Sequence, residues 1–371
     1  MSAEDLGRRL LREVEEDGLD QILCSLKAFN YAGVPSYFGI QALDGLLSFH
    51  GQAGIAQAPA GRPLLNTSAR NAIPKRPFVE ITSAGPGQGK THLLYYMTAL
   101  AVLPRTHQGV MLHGKGSAVV VLDTDCRFDV QRLAEVMYHY VISQLGPSFS
   151  LSQPADGVQS PAARKSKIIY DLVQPSLSHV HMFRPRSHAS LLSTISSLPT
   201  YLFHSTSHAS INRPLHSVIL DSVNAFFWQI RADESTARLS NSRVLSTNEV
   251  YAGLAQQLAD ASRTFSCAIV TTSWSLSSYS QTIQGVQSMR PSLPPSWPLT
   301  STLRFGVRRV PIPPFPPATS IENALAEKRR GASALNTGTF EACKLGSESG
   351  EPFYFTITKA GVNMEVVREI I

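Results

Sequence analysis

The sequence predicts an α/β fold built on a mostly parallel central sheet with helices on both faces. Three observations carry that reading. Four short, largely apolar runs recur: FVEITSA at 78–84, SAVVVLD at 117–123, HSVILD at 216–221 and CAIVTT at 267–272. Such runs suit strands buried on both faces, the pattern of parallel sheets covered by helices. Segments of helical periodicity separate them, as crossover connections require. Finally, a Gly-rich turn, AGPGQGKT at 84–91, joins the first run to the first strong helix.

In chain order, residues 3–30 carry Leu6, Leu10, Leu11, Val14, Leu19, Ile22, Leu23 and Leu26. That spacing predicts one or two short amphipathic helices with a break at Gly18, so 1–50 reads as an N-terminal helical segment. Residues 51–75, rich in Gly, Ala and Pro, read as a linker, and 76–371 as the core. The core opens with a strand at 78–84 and a helix at 90–102. A strand at 117–123 follows, then a helix over 128–143 through Phe128, Val130, Leu133, Val136, Met137 and Tyr140. A Ser/Pro/Gly/Ala-rich insertion falls near 147–166 and is expected to be disordered. Next come a strand at 179–183, a helix at 188–204, a strand at 216–221, a helix at 247–264 and a strand at 267–272. The interval near 275–350 reads as a second disordered insertion, interrupted by a strand-like stretch at 302–310. The chain ends in a β-hairpin pattern, FYFTITKAGVNMEVV at 353–367, with Ala360-Gly361 at its turn.

Composition narrows the class. Of 371 residues, 43% are hydrophobic, so the chain is not globally disordered. Charged residues are 16%, against roughly 25% in an average soluble domain. No window reaches the roughly 18 apolar residues of a membrane helix, and the charged start, MSAEDLGRRLLREVEED, lacks the apolar run of a secretory signal. Cys24, Cys126, Cys267 and Cys343 are scattered without a CxxC pair, which argues against a zinc site or a disulfide framework and fits a reducing compartment. His179 and His181 form an HxH pair without a carboxylate or Cys beside it. These and His188, His204, His208 and His216 are read as ordinary surface and core residues.

The net charge of +6 is unevenly spread. The first twenty residues are acid-rich. Between Asp260 and Glu322 there is no acid at all, while Arg263, Arg290, Arg304, Arg308 and Arg309 lie there. Uncancelled arginines attract polyanions, although a loop that simply lacks acids fits the same pattern.

AGPGQGKT fits the phosphate-loop pattern, with Ala84 replacing the first Gly. Gly85, Gly87 and Gly89 permit backbone angles closed to other residues and let amides approach phosphate oxygens. A helix starting near Lys90 adds its positive end. Lys90 is expected to reach the terminal phosphates, and the Thr91 hydroxyl to hold Mg²⁺. The nucleotide-binding set is therefore Gly85, Gly87, Gln88, Gly89, Lys90, Thr91 and His92. Asp221, ending the VILD strand at the ligand edge of an α/β sheet, is the candidate second metal ligand. Asp125, just past the VVVLD strand, is the candidate catalytic carboxylate that positions water, with Asp123 as its competitor. The expected cofactors are ATP and Mg²⁺.

Taken together, GPGQGKTHLLYYMTA, AVVVLDTDCRFDVQRLAEV and SVILDSVNAFFWQIR resemble the RecA-type recombinase core, and within it the eukaryotic recombinase paralogues. FYFTITKAGV is similar to the last hairpin of that fold. The resemblance covers about 78–142, 216–274 and 353–365. It implies a RecA-like phosphate-loop ATPase core, a nuclear location and a role in homologous-recombination repair of DNA double-strand breaks and crosslinks. The implied partners are other recombinase paralogues, in hetero-oligomers, and single-stranded or branched DNA; no membrane is implied.

Two departures from active members matter. Asp125 stands where they carry a Glu; it is one methylene shorter, and a misplacement of ~1 Å can cost about 10²-fold. Ser273-Trp274-Ser275 stands where they place a polar γ-phosphate sensor. Both imply weak or absent turnover. The stretch after Trp274 corresponds to the family's second DNA-contacting loop, which makes Gln284, Arg290 and Arg304 candidate DNA contacts. Two other readings stay open: a DNA-dependent ATPase completed by a partner subunit, and a phosphate-loop kinase of small molecules.

Overall fold

The structure is a computed structural model that describes residues 36–53, 76–146, 161–204, 206–240, 244–275, 293–297, 303–310, 320–322, 338–345 and 352–364. The leucine-rich segment 3–30, most of the 51–75 linker and most of the 147–166 insertion lie outside the described residues.

The described elements run α1 (Gln41–Ala53), β1 (Phe78–Ser83), α2 (Lys90–Val102), β2 (Thr106–His107), β3 (Val110–Met111), β4 (Ala118–Asp123), α3 (Val130–Leu145), α4 (Pro161–Leu177) and β5 (Val180–Phe183). They continue with α5 (His188–Leu202), β6 (Leu215–Asp221), α6 (Phe227–Leu239), α7 (Thr247–Phe265), β7 (Ala268–Trp274), β8 (Leu303–Arg309), β9 (Gly338–Lys344), β10 (Phe353–Ile357) and β11 (Val362–Asn363).

Nine strands form one sheet in the order β11-β10-β9-β8-β1-β7-β6-β4-β5. From β8 to β5 every neighbouring pair is parallel. β9, β10 and β11 extend the sheet antiparallel beyond β8. The mostly parallel α/β architecture expected from the apolar runs is therefore present. A separate ribbon, β2 with β3, turns through Gln108 and Gly109, both at positive φ.

Strand alternation divides the core in two. On one face Val79, Ile81, Val119, Val121, Ile219 and Val270 pack against α1, α2, α3 and α4. On the other, Phe78, Ala118, Val120, Leu122, Val218 and Leu220 pack against α5, α6 and α7. A period-two side-chain pattern sends successive residues to opposite faces, so strands covered twice must be apolar throughout. Helix starts are set locally. Asp129 accepts the Gln131 amide before α3, Ser187 accepts the Ser190 amide before α5, and Ser246 with Glu249 forms a capping box on α7.

Besides the short β2–β3 ribbon, three elements were not expected from the sequence. α4 begins inside the presumed 147–166 insertion, α6 follows β6 directly, and β9 lies inside the presumed 275–350 insertion. Leu293 and Trp297, from the same interval, are buried in the second core, with Trp297 edge-on to Phe78 and Tyr251. Residues 36–40 dock at the opposite end of the sheet from the candidate site. Tyr37 donates its hydroxyl to the His216 carbonyl at 2.6 Å and accepts the Ala268 amide at 2.9 Å. Among the described residues no helix is long and apolar enough to cross a membrane.

Candidate functional site

Parallel pairing brings the C-terminal ends of β1, β4, β6 and β7 to one edge. Ser83 stands level with Trp274, and Asp123 level with Asp221. The connections leaving the neighbouring strands β1 and β7 run in opposite directions across the sheet, to β4 and to β8, and such a switch is where open α/β sheets place their ligand crevice. A cavity of ≈ 580 Å³ opens there, lined by residues 85–92 with Tyr95, Asp125, Arg127, Asp221, Ser222, Trp274, Phe340 and Ile357.

The loop from Ala84 to Gly89 leads straight into α2. Gly87 and Gly89 adopt φ 71° and 87°, the left-handed region. Gly89 caps the helix with no side-chain hydrogen bond to its first-turn amides, so those amide donors face the cavity end of the helix. A side chain at Gly89 is excluded on a second ground, because a Cβ there would lie 2.9 Å from Phe340 Cδ1. The loop is thus wedged beneath β9 and β10. Gln88 ties it to β8, its Oε1 accepting the Arg309 amide at 2.7 Å.

Lys90 donates to Ser83 Oγ, which itself donates to the Gly85 carbonyl at 2.7 Å. Burial pushes the Lys90 amine down to about 8, against the opposing pull of Asp221 and Asp125. Thr91 Oγ1 donates to Asp221 Oδ2 at 3.1 Å, and Thr272 donates to Asp221 Oδ1. Burial raises the Asp221 carboxyl above its ordinary value, and these two hydroxyl bonds partly offset the rise. Asp125 accepts the Ser222 hydroxyl at 3.0 Å. Asn224 fixes the end of β7, its Oδ1 accepting the Trp274 amide at 3.0 Å. Burial also lowers the His92 imidazole, with a smaller push from Arg132. His92 and Ile357 open onto an adjoining cavity of ≈ 630 Å³, where Arg132 donates to the carbonyls of Thr358 and Lys359.

The sequence candidates Gly85, Gly87, Gln88, Gly89, Lys90, Thr91, His92, Asp125 and Asp221 all line the one cavity. Asp123 does not. Its buried carboxylate accepts the amides of Arg127 and Phe128 at 3.0 and 3.2 Å and the Arg184 guanidinium at 3.2 Å, which makes it an anchor for the turn into α3. Arg304 lies on β8 away from the cavity, donating to Glu80 Oε2 at 2.9 and 2.7 Å. Gln284 and Arg290 lie outside the described residues. His179 and His181 share the Ser210 hydroxyl at 2.8 and 2.9 Å. Among the described residues no group of three or more His, Cys, Asp or Glu side chains is arranged to hold a metal.

Several lining residues escaped the sequence reading. Ser222, next to Asp221, was within its reach. Tyr95 and Arg127 sit one turn or two residues beyond recognised positions. Phe340 and Ile357 come from strands far downstream, and only the fold brings them to the loop.

Fold and site together define an α/β protein with a glycine-rich strand-to-helix loop at the C-terminal edge of a mostly parallel sheet, compatible with a RecA-like core. No family model matches the chain. It is 30% identical over 185 residues to the DNA repair protein XRCC2 homolog of Arabidopsis thaliana, covering 48% of this chain and 49% of that protein. It is 29% identical over 157 residues to the DNA repair protein XRCC2 of Mus musculus, covering 41% and 43%. The chain thus spans about half the length of the curated relatives it matches. Over the stretches they cover, both matches support the resemblance to recombinase paralogues of the XRCC2 kind.

Proposed function

We propose that this chain is an ATP-binding recombinase paralogue that serves as an accessory, assembly subunit in homologous-recombination repair of DNA double-strand breaks and crosslinks, with weak or no turnover of its own. The likeness to two proteins named for DNA repair supports the repair role. The observation that carries the nucleotide reading is the meeting of Lys90, Thr91 and Asp221 around a glycine loop at a helix start.

The residues fit the proposed ligands. Lys90, its charge poorly solvated, gains from a phosphate partner. The uncapped first-turn amides of α2 suit an anion. Thr91 and Asp221, already bonded to each other, are the groups that would hold Mg²⁺. When bound, Mg²⁺ supplies neutralisation of phosphate charge. Asp125, held by Ser222, would orient a water, but the aromatic Trp274 lines the cavity where the resemblance implies a polar sensor. That substitution favours holding nucleotide over hydrolysing it. The proposed partners are other recombinase paralogues and single-stranded or branched DNA, in the nucleus.

The test combines binding and turnover on purified protein. ATP is expected to bind, Lys90→Ala is expected to abolish binding, and hydrolysis is expected to stay near background with or without single-stranded DNA. Vigorous hydrolysis that Lys90→Ala removes would refute the accessory reading. The Ser222–Asp125 hydrogen bond favours a second reading, an ATPase completed by a partner subunit. Hydrolysis that appears only in the reconstituted complex would select it.

A further inference from the structure

Arg127 is the second strong cation on the cavity wall, two residues past Asp125. Its backbone is pinned on both sides. The amide donates to Asp123 Oδ1 at 3.0 Å, and the carbonyl accepts the Tyr95 hydroxyl at 3.4 Å. Cys126 before it takes φ 55°, turning the chain at this point. The side chain, by contrast, is exposed. Among the described residues it has no carboxylate partner, whereas Arg132, Arg184, Arg304 and Arg308 are each paired with one. An arginine with a fixed root and an uncommitted head is placed to meet an anion that arrives in the cavity. Burial is the main reason the Lys90 amine is held down, and the Arg127 charge adds a smaller push in the same direction. The Arg127 charge therefore bears on Lys90 across the cavity, and an anion between the two would relieve the repulsion.

We propose that Arg127 is a further phosphate-binding residue, its guanidinium meeting the terminal phosphate of a nucleoside triphosphate from the Asp125 side of the cavity. This rests on the nucleotide-binding reading above. The chemistry is suited to it: a guanidinium stays charged at any working pH and binds phosphate oxygens in a two-pronged, planar fashion. Arginines supplied within the same chain act on the terminal phosphate in other phosphate-loop proteins. Arg127 then gives the site a means of telling a triphosphate from a diphosphate.

Calorimetric titration with Mg²⁺-ATP and Mg²⁺-ADP tests this on the full chain and on Arg127→Ala, Arg127→Gln, Arg127→Lys and Lys90→Ala. Arg127→Ala is expected to weaken ATP about tenfold and ADP by less than about threefold, with Arg127→Lys recovering part of the loss. Arg127→Gln keeps the side chain's length and polarity and stands in should the alanine variant melt early. An ATP affinity within about threefold of the parent, or equal losses for ATP and ADP, overturns the role of Arg127 while leaving the site intact. A parent chain that binds neither nucleotide, or a Lys90→Ala variant that binds like the parent, sinks the underlying nucleotide reading instead.

Discussion

At the residue scale the site rests on Gly89 as much as on Lys90. Its φ of 87° and the 2.9 Å approach of Phe340 Cδ1 to a hypothetical Cβ exclude any side chain. Gly89→Ala is therefore expected to cost about 1–3 kcal/mol in urea unfolding and to weaken nucleotide binding, because strain and overpacking act at the loop itself. An unchanged midpoint would show that β9 and β10 yield more easily than packed strands do. The loop glycines, Lys90, Thr91 and Asp221 were legible in the sequence because motif spacing and strand-end acids place them directly. Choosing between Asp123 and Asp125 needed the three-dimensional fold. Both follow the same apolar run, but the first turns back onto the amides of 127 and 128 and the second faces the cavity. Arg127 was invisible for a related reason: an arginine in a loop carries no periodic signal, and its meaning comes from the pinned backbone and from a head without a carboxylate partner among the described residues.

At the element scale β1 is the strand that organises its neighbours. Glu80, fully buried at its middle, accepts the Ser273 hydroxyl at 2.7 Å from β7 and the Arg304 guanidinium from β8. One carboxylate thus ties together both strands that flank β1. Removing one partner of a buried pair leaves the other charge uncompensated. Glu80→Ala is expected to destabilise by about 3 kcal/mol, whereas Arg304→Ala in the same background adds little, because the stranded charge is gone. A double-mutant cycle on unfolding free energies measures this, and simple additivity would contradict it. The same ion pair commits the half-buried Arg304, a candidate DNA contact from an acid-free stretch, to a carboxylate inside the sheet. Its acid lies 224 positions earlier in the chain and is brought to it only by strand pairing. Strands buried twice and helices with a strong apolar stripe were legible. α6 was not, since it buries only Phe227, Ile230 and Ala237 along its length. β9, reading GTFEACK, mixes Gly, Glu and Lys into a strand that only its neighbours justify.

At the scale of the whole molecule, two buried histidines predict acid sensitivity. Burial holds the imidazoles of His181 and His216 down to about 4; His208 and His179 push His181 the same way, and Lys115 and Arg76 do so for His216 against the opposing Tyr37 carbonyl. The unfolded chain takes up these protons near its ordinary value of about 6.5, before the folded chain does. Stability contributed by the neutral rings is therefore present above pH 6.5 and lost progressively as pH falls towards 4. Urea midpoints measured at pH 7 and pH 5 check this, and equal midpoints would contradict it. One further consequence follows from where the three tryptophans sit. Trp228 is 60% exposed on α6, Trp297 is fully buried in the second core, and Trp274 lines the cavity. The chain accordingly carries three optical reporters of separate events: Trp297 for unfolding, Trp274 for arrival of a ligand, and Trp228 for whatever comes to rest on the outer surface of α6.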